Sequence, residues 1–270
     1  MFKPISFSGK LFRHYLLSPS HPSKIRLQNL LGKYFFTNGI LMKNESGTIL
    51  KLQPNDWITR IMLMKGGYEE ISLTLAESIL KNGGLFIDVG ANFGLYSCIL
   101  AQNKAVKVIA IEPNYMVIPG LLENIQLNKR DNVSVLNTAL SGEFQFVAME
   151  IHRENNLGTA SFNVQQKAAF SILSCSLNYI FKSQELRYAT LIKIDIEGNE
   201  LDVLKDFDFE TYLVKNILLE YNYLSIYSFQ VLQNFFRKKG FMIRDINGDL
   251  YDGSMNGIPE NNLWLVNTNQ

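Results

Sequence analysis

Three carboxylates, each closing a short apolar run, have the type and spacing to do chemistry. The first is Asp88, in Leu85-Phe86-Ile87-Asp88-Val89-Gly90-Ala91-Asn92-Phe93-Gly94. An apolar run broken by an acid and glycines, then resumed with helical periodicity, reads as strand, tight turn and helix. In an α/β sheet such a turn lies at the carboxyl end of a strand, where backbone N–H groups and a helix N-terminus face a ligand. A dinucleotide fingerprint needs Gly-x-Gly-x-x-Gly, and counting from Gly90 the next two required positions hold Asn92 and Leu95. Counting from Asp88 sets a carboxylate where a pyrophosphate would lie, and like charges repel there. A nicotinamide dehydrogenase is disfavoured on that ground. An acid at this turn attracts a cationic ligand, and S-adenosylmethionine (SAM) carries both an ammonium and a sulfonium. The chemistry indicated is methyl transfer.

On that reading Asp88 fixes the methionyl amino group, Gly90 and Gly94 let the ligand approach the backbone, and Asn92 reaches the methionyl carboxylate. The alternative is that Asp88 caps the following helix and the glycines only make the turn. The second acid, Glu112, stands 24 residues after Asp88, near the spacing of about 20 at which a ribose-binding acid is expected. Read by itself, Glu112 is better explained as a helix-start acid before Pro113 at N1, and only together with the first turn does the ribose reading prevail. After the next apolar run, Asn137-Thr138-Ala139-Leu140 would lie beside the adenine.

The third set is Asp195, Glu197 and Glu200, following Leu191-Ile192-Lys193-Ile194. Asp195 would stand near the transferable methyl as a hydroxyl-orienting group or general base. Glu197 would project on the same side, as a spacing of two in a strand requires. Lys193 would pair with an acid from the solvent side. Helix capping is the competing account, preferred for Glu200. His152 is a second candidate base, with an imidazole suited to proton transfer near neutral pH, against the plain reading of a loop histidine. A divalent metal at Asp195 and Glu197 stays open, without a third ligand assigned.

The elements that must position these groups follow from periodicity. Residues 1 to about 35 form an entry segment, helical in part and broken at Ser18-Pro19-Ser20-His21-Pro22. A hairpin over 40–43 and 48–52, a short helix capped by Asp56 and ended by Gly66-Gly67, and a helix over 71–80 lead into the first strand. From there strands over 85–89, 106–111 and 133–138 alternate with helices from about 94 and over 114–129, which implies parallel βαβ units. An extended insert over 143–163, a helix over 174–184, a strand over 191–194 and a helix over 200–207 come next. Strand 215–221, helix 228–239, strand 241–246 and strand 263–266 close the chain. The expected division is an N-terminal extension over 1–82 and a methyltransferase domain over 83–270.

The chain has 270 residues, 47% hydrophobic and 19% charged, enough to bury a large core. A net charge of +1 makes no overall electrostatic case for a nucleic-acid or anionic-membrane partner, so either would need local evidence. The small cluster Arg237-Lys238-Lys239 reads as charge near a helix C-terminus rather than a nucleic-acid groove. Cys98 and Cys175 have neither CxxC nor Cys/His spacing, which argues against a zinc site and for a reducing, cytoplasmic setting. No apolar run reaches the ~20 residues of a membrane span. Tyr221, Tyr223 and Tyr227 are candidates to line an acceptor pocket by stacking on sugar faces, with core or rim packing as the alternative.

Three blocks together resemble the FkbM family of SAM-dependent methyltransferases: Phe86-Ile-Asp-Val-Gly-Ala-Asn-Phe-Gly-Leu-Tyr-Ser97, Ile111-Glu-Pro-Asn114 and Ile192-Lys-Ile-Asp-Ile-Glu-Gly-Asn-Glu-Leu201. Gly67-Tyr68-Glu69 also resembles the family's Gly-x-Tyr-Glu element, and the likeness runs from about residue 40 to the end. The resemblance implies a class I, Rossmann-like α/β fold with a seven-stranded, mostly parallel sheet and O-methylation of a hydroxyl on a sugar, glycan or natural product. It carries over Glu69, Asp88, Gly90, Asn92, Glu112 and Asp195 as cofactor or active-site positions. Ser176-Leu177-Asn178 departs from the family's frequent Ser-Leu-Asp. A nucleic-acid methyltransferase and a SAM-binding protein without turnover are the competing functions.

Overall fold

The computed structural model describes residues 1–151, 160–163, 170–196, 200–222, 225, 227–253 and 258–269. Its centre is a seven-stranded sheet of β1 (Gly84–Val89), β2 (Val106–Ile111), β3 (Val133–Leu136), β4 (Leu191–Ile194), β5 (Asn216–Glu220), β6 (Phe241–Asp245) and β7 (Asn262–Asn267). The spatial order is β6-β7-β5-β4-β1-β2-β3, and β7 runs antiparallel to both its neighbours while the other pairings are parallel. The expected mostly parallel α/β sheet is therefore the one observed.

Nine helices are seen among the described residues: α1 (Phe7–Leu17), α2 (Lys24–Phe35), α3 (Trp57–Lys65), α4 (Glu70–Ile79), α5 (Leu95–Leu100), α6 (Ile118–Leu127), α7 (Leu177–Ser183), α8 (Glu200–Lys205) and α9 (Phe229–Lys238). Because side chains alternate along a strand, β1 sends Leu85, Ile87 and Val89 into a core shared with α7, α8 and α9. Phe86 enters the opposite core, built with α1, α3, α4 and α5 and with Ile40, Met42 and Leu50 of the N-terminal hairpin. Continuous burial on both faces accounts for the unbroken apolar runs of the central strands.

Two expected elements change. Residues 174 and 175, expected to start a helix, instead end a strand over 171–175 that pairs with Gln145–Ile151 and Ala139–Leu140, and Ser176 then caps α7 by accepting from the Tyr179 N–H at 3.2 Å. α6 begins at Ile118, because Asn114 Oδ1 first accepts the Met116 N–H at 3.0 Å and holds 114–116 in a turn. Asn178, the departure from Ser-Leu-Asp, donates to the Asp206 carbonyl at 2.7 Å and accepts from the Asp208 N–H at 2.9 Å, fastening the end of α8.

The N-terminal hairpin (Ile40–Lys43 and Ile49–Leu52) is fastened to α6 through Asn124 of that helix and Asn128 at its C-terminal cap. Asn128 Oδ1 accepts from Ile49 N at 2.8 Å and Asn124 Oδ1 from Lys51 N at 2.7 Å, so α6 side chains satisfy strand-edge donors. Asn124 Nδ2 also donates to the Phe93 carbonyl at 2.9 Å, in the turn after β1. Truncating this buried side chain orphans groups on both sides. Asn124→Ala is expected to lower stability by about 2 kcal/mol, read as an earlier midpoint in urea unfolding, whereas no change would show the hairpin to be held by apolar packing alone.

Candidate active site

The alternation that sorts the core also collects the charges. Asp88 shares the parity of Phe86, Lys193 that of Leu191, and Glu220 that of Leu218, so all three leave the sheet on the α4–α5 side. Register then makes them neighbours, since Lys193 pairs with Asp88 across β4–β1 and with Leu218 across β4–β5. The strand ends touch through glycine: Gly90 has φ +81°, and a Cβ there would lie 1.9 Å from the Asp195 carbonyl oxygen. Only a residue without a side chain lets the β1 turn close on the end of β4.

The result is a cleft of about 1000 Å³, counting its open mouth, lined by Glu69, Asp88, Asn92, Glu112, Asp195 and Glu220 among others. Lys193 is 3% exposed, and its Nζ sits 2.7 Å from Asp195 Oδ2 and 4.9 Å from the centre of the Tyr96 ring. The expected solvent-side pairing of Lys193 is thus replaced by a buried one, because its strand parity points it into the molecule. Burial pushes the ammonium down, but Asp195, Glu69 and Asp88 outweigh burial and hold it charged, above its ordinary value.

Around this cation the carboxyls differ. Burial pushes Asp195 up, yet the Lys193 charge, its hydrogen bond and a further hydrogen bond from Glu220 bring it below the usual carboxylate range. Burial and the negative Asp195 raise Glu220 to about 10, so at neutral pH it is a carboxylic acid donating to Asp195. Asn222 Nδ2 donates to Glu220 Oε1 at 2.8 Å and fixes the other side of that group. Glu69 receives the Tyr96 hydroxyl at 2.8 Å, and burial raises it to about 7. Asp88 accepts from Ser97 Oγ at 2.7 Å, and burial raises it as well. Among the described residues lining it, the carboxyls outnumber the one ammonium, so the cleft suits a ligand bearing positive charge.

Glu112 does not start a helix, since α6 opens only at Ile118. It turns inward, and its two oxygens accept from Asn92 N at 2.8 Å and Asn114 N at 2.7 Å, bridging the turns after β1 and β2. Burial raises it to about 7 against those bonds. Pro113 lines the same cleft and also an adjoining hollow, which Thr138 and Ala139 enter from the chain after β3. Gly90 and Ile196 also belong to both, so the two hollows lie side by side along the carboxyl ends of β4, β1 and β2.

The structure does not bring every candidate to the cleft. Gly94 stands behind it, and its missing Cβ makes room for Leu121, 2.6 Å from where that Cβ would be. Asn137 braces the wall by donating to the Glu112 carbonyl at 2.8 Å. Glu200 accepts from Ile196 N at 3.1 Å, the backbone role expected of it. Tyr221 is buried in the core, and Tyr227 packs on Lys205, so neither lines the cleft. Glu197, His152 and Tyr223 lie outside the described residues. Among the described residues, no cluster of three or more His, Cys, Asp or Glu has the arrangement to hold a metal. Glu220, Lys193 and Tyr96 were missed as a unit. Strand parity in Leu-Leu-Glu220, the same pattern that singled out Asp88, was the available signal.

Comparison with known proteins bears on the same residues. Residues 88–243, more than half of the chain, match the methyltransferase FkbM domain. The hexuronic acid methyltransferase AglP of Haloferax volcanii is 30% identical over 154 residues, covering 57% of this chain and 62% of AglP. The ribosomal protein L11 methyltransferase of Acetivibrio thermocellus is 35% identical over 66 residues, covering 24% of this chain and 21% of that protein. The chain thus matches less than two thirds of the length of either relative. Among solved structures, M. capricolum TrmK in complex with S-adenosyl-homocysteine is similar at a TM-score of 0.45 and 15% identity, over 76% of this chain and 70% of that one. The extent of the domain match, which spans the cleft from Asp88 through Glu112 and Asp195 to Glu220, makes the chain a member of the FkbM family of methyltransferases, with SAM as its cofactor.

Proposed function

We propose that this protein transfers a methyl group to a hydroxyl oxygen of a sugar or glycan. The observation that carries the reading is Asp195, paired with Lys193 at 2.7 Å and lining the cleft that also holds Glu220, Asp88 and Glu112. The name of AglP, a hexuronic acid methyltransferase, agrees in acceptor class.

On this reading Glu112 accepts the ribose hydroxyls, Asp88 and Glu69 attract the methionyl ammonium, and Asn92 meets the methionyl carboxylate. Ala139 and Pro113 flank the adenine. Bound there, SAM supplies a methyl on a sulfonium, which leaves as a neutral thioether. The chain's own work is to hold the acceptor oxygen in line and to take its proton, and orientation of this kind contributes up to ~7–11 kcal/mol. Asp195, 27% exposed, is the carboxylate that reaches the acceptor. It orients the hydroxyl and receives the proton as the new C–O bond forms, while Lys193 balances its charge. Trp57, Ile58 and Tyr68, at the other side of the cleft, offer apolar surface to a sugar ring. The acidic lining disfavours a nucleic-acid acceptor, whose phosphates it would repel.

Radiolabelled SAM offered with hexuronic acid glycans and, separately, with RNA tests the proposal. Label in the glycan supports it; label in RNA alone, or tight SAM binding without transfer to either, overturns it. Asp195→Asn is expected to lower kcat about a hundredfold or more while SAM affinity, measured by calorimetry, stays nearly unchanged. Equal turnover would remove Asp195 from the reaction.

The acid at the ribose position sets a pH dependence. Glu112 has an ordinary value of 4.5 and is raised to about 7 in the folded chain. Between those values the folded state keeps a proton that the unfolded state has released, so the ligand-free chain loses stability as pH rises through that window. A ligand whose hydroxyls donate to ionised Glu112 binds more tightly over the same rise. SAM affinity is therefore expected to increase from pH 5 to 8 and to rise less steeply in Glu112→Gln, with ionisation of Glu69 accounting for the remainder; an equally steep rise in that variant would assign the titration elsewhere.

A further inference from the structure

The charge of the chain is unevenly placed. No Asp or Glu precedes Glu45, while Lys3, Lys10, Arg13, Lys24, Arg26 and Lys33 all fall within the first 35 residues, which leaves the rest of the chain with an excess of acids. Two of these cations are tied to backbone, Arg13 Nε to the Leu63 carbonyl at 2.7 Å and Lys24 Nζ to the Leu16 carbonyl at 2.9 Å. Lys24 thereby fixes the start of α2 to the end of α1. Lys10, Arg26 and Lys33 are exposed, and among the described residues none has an acidic partner.

Of the two helices that carry them, α2 is turned inside out. α2 packs inward through Gln28, through Asn29, which accepts from Arg60, and through Gly32, where a Cβ would lie 2.1 Å from Asn55 Oδ1. Its apolar side faces out, with Leu30 43%, Tyr34 66% and Phe35 76% exposed. On α1, Phe12 and Leu16 are buried, while Phe7 and Leu11 stand out beside Lys10. A soluble helix normally buries its apolar stripe and exposes its polar one. Here the exposed side joins protruding aliphatic and aromatic groups to cations without acidic partners, Lys33 lying 5.8 Å from the centre of the Tyr34 ring, the composition of a helix that lies in a membrane interface. α2 is held against α3, and α3 opens with Trp57 and Ile58 in the wall of the cleft.

We infer that α1 and α2 dock this protein on an anionic lipid surface, with Phe7, Leu30 and Tyr34 entering the interface and Lys10, Arg26 and Lys33 meeting the headgroups. A second copy of the chain fits the face poorly, because face-to-face contact would oppose cation to cation. RNA would answer the cations but would leave the aliphatic groups uncovered. No helix among the described residues is long and apolar enough to cross a membrane, so the contact inferred is an interfacial one.

Flotation of the full chain with vesicles tests the inference, using phosphatidylcholine alone and phosphatidylcholine mixed with phosphatidylglycerol. The chain is expected to float with the mixed vesicles only and to be released by salt. Arg26→Gln and Lys33→Gln should each weaken binding about fivefold. Leu30→Ser combined with Tyr34→Ser should weaken it about tenfold or more. These side chains are exposed, so an unchanged thermal midpoint is expected for every variant. Failure to float with either vesicle, or equal flotation with both, overturns the inference. So does a dimer by ultracentrifugation that the Leu30/Tyr34 variant dissociates while the unaltered chain ignores vesicles.

Discussion

A single buried ammonium organises the working end of this molecule. Lys193 lies on the central strand of the sheet with Asp195 at 2.7 Å, and Glu69 and Asp88 also hold it charged. A buried charge is costly unless it is paired and hydrogen-bonded. Here the pairing is over-complete, and the surplus negative charge is divided in two ways. Asp195 keeps its charge by taking the closest contact with Lys193, and Glu220 gives up its own by keeping a proton and lending it to Asp195. Carboxyls this close cannot all ionise in a low-dielectric site. The division of labour follows from position on the strands, without further residues being required.

The same geometry explains why the family signature clusters at strand ends. Parallel strands present their carboxyl ends on one edge, and the alternation of side chains gives that edge one charged side. The turn after β1 must come close to β4 for Asp88 and Asp195 to share a cleft, and Gly90 allows it with its positive φ and absent side chain. Glu112 then locks two turns together through the backbone N–H groups of Asn92 and Asn114. The acids thus serve first as acceptors for protein donors, Glu112 for two backbone N–H groups and Asp88 for the Ser97 hydroxyl.

Much of this was legible in the chain before folding. The regular succession of apolar runs and helical periods gave the parallel sheet, and Asp88, Glu112 and Asp195 each stood where a run ends. What escaped was cross-strand register. Lys193 looked like an outward residue because its neighbours in sequence are apolar; only its pairing with Asp88 across β4–β1 shows that it belongs inside. Glu220 was passed over because its partner, Asp195, lies 25 residues earlier. Ser174 and Cys175 read as the start of a helix because the strand partners of Ser171–Cys175, Gln145–Ile151 and Ala139–Leu140, are supplied by distant chain. Local signals fixed Gly94 as a turn glycine, but whether it faces ligand or Leu121 depended on packing.

If one ammonium sets the protonation of the whole cluster, Glu220 must hold a proton at neutral pH. Infrared difference spectroscopy between the unaltered chain and Glu220→Gln reads this directly. The account predicts a carboxylic acid carbonyl band at neutral pH that disappears in the variant and moves to lower frequency when the solvent is exchanged to deuterium oxide. A difference spectrum showing only the loss of an ionised carboxylate would contradict it.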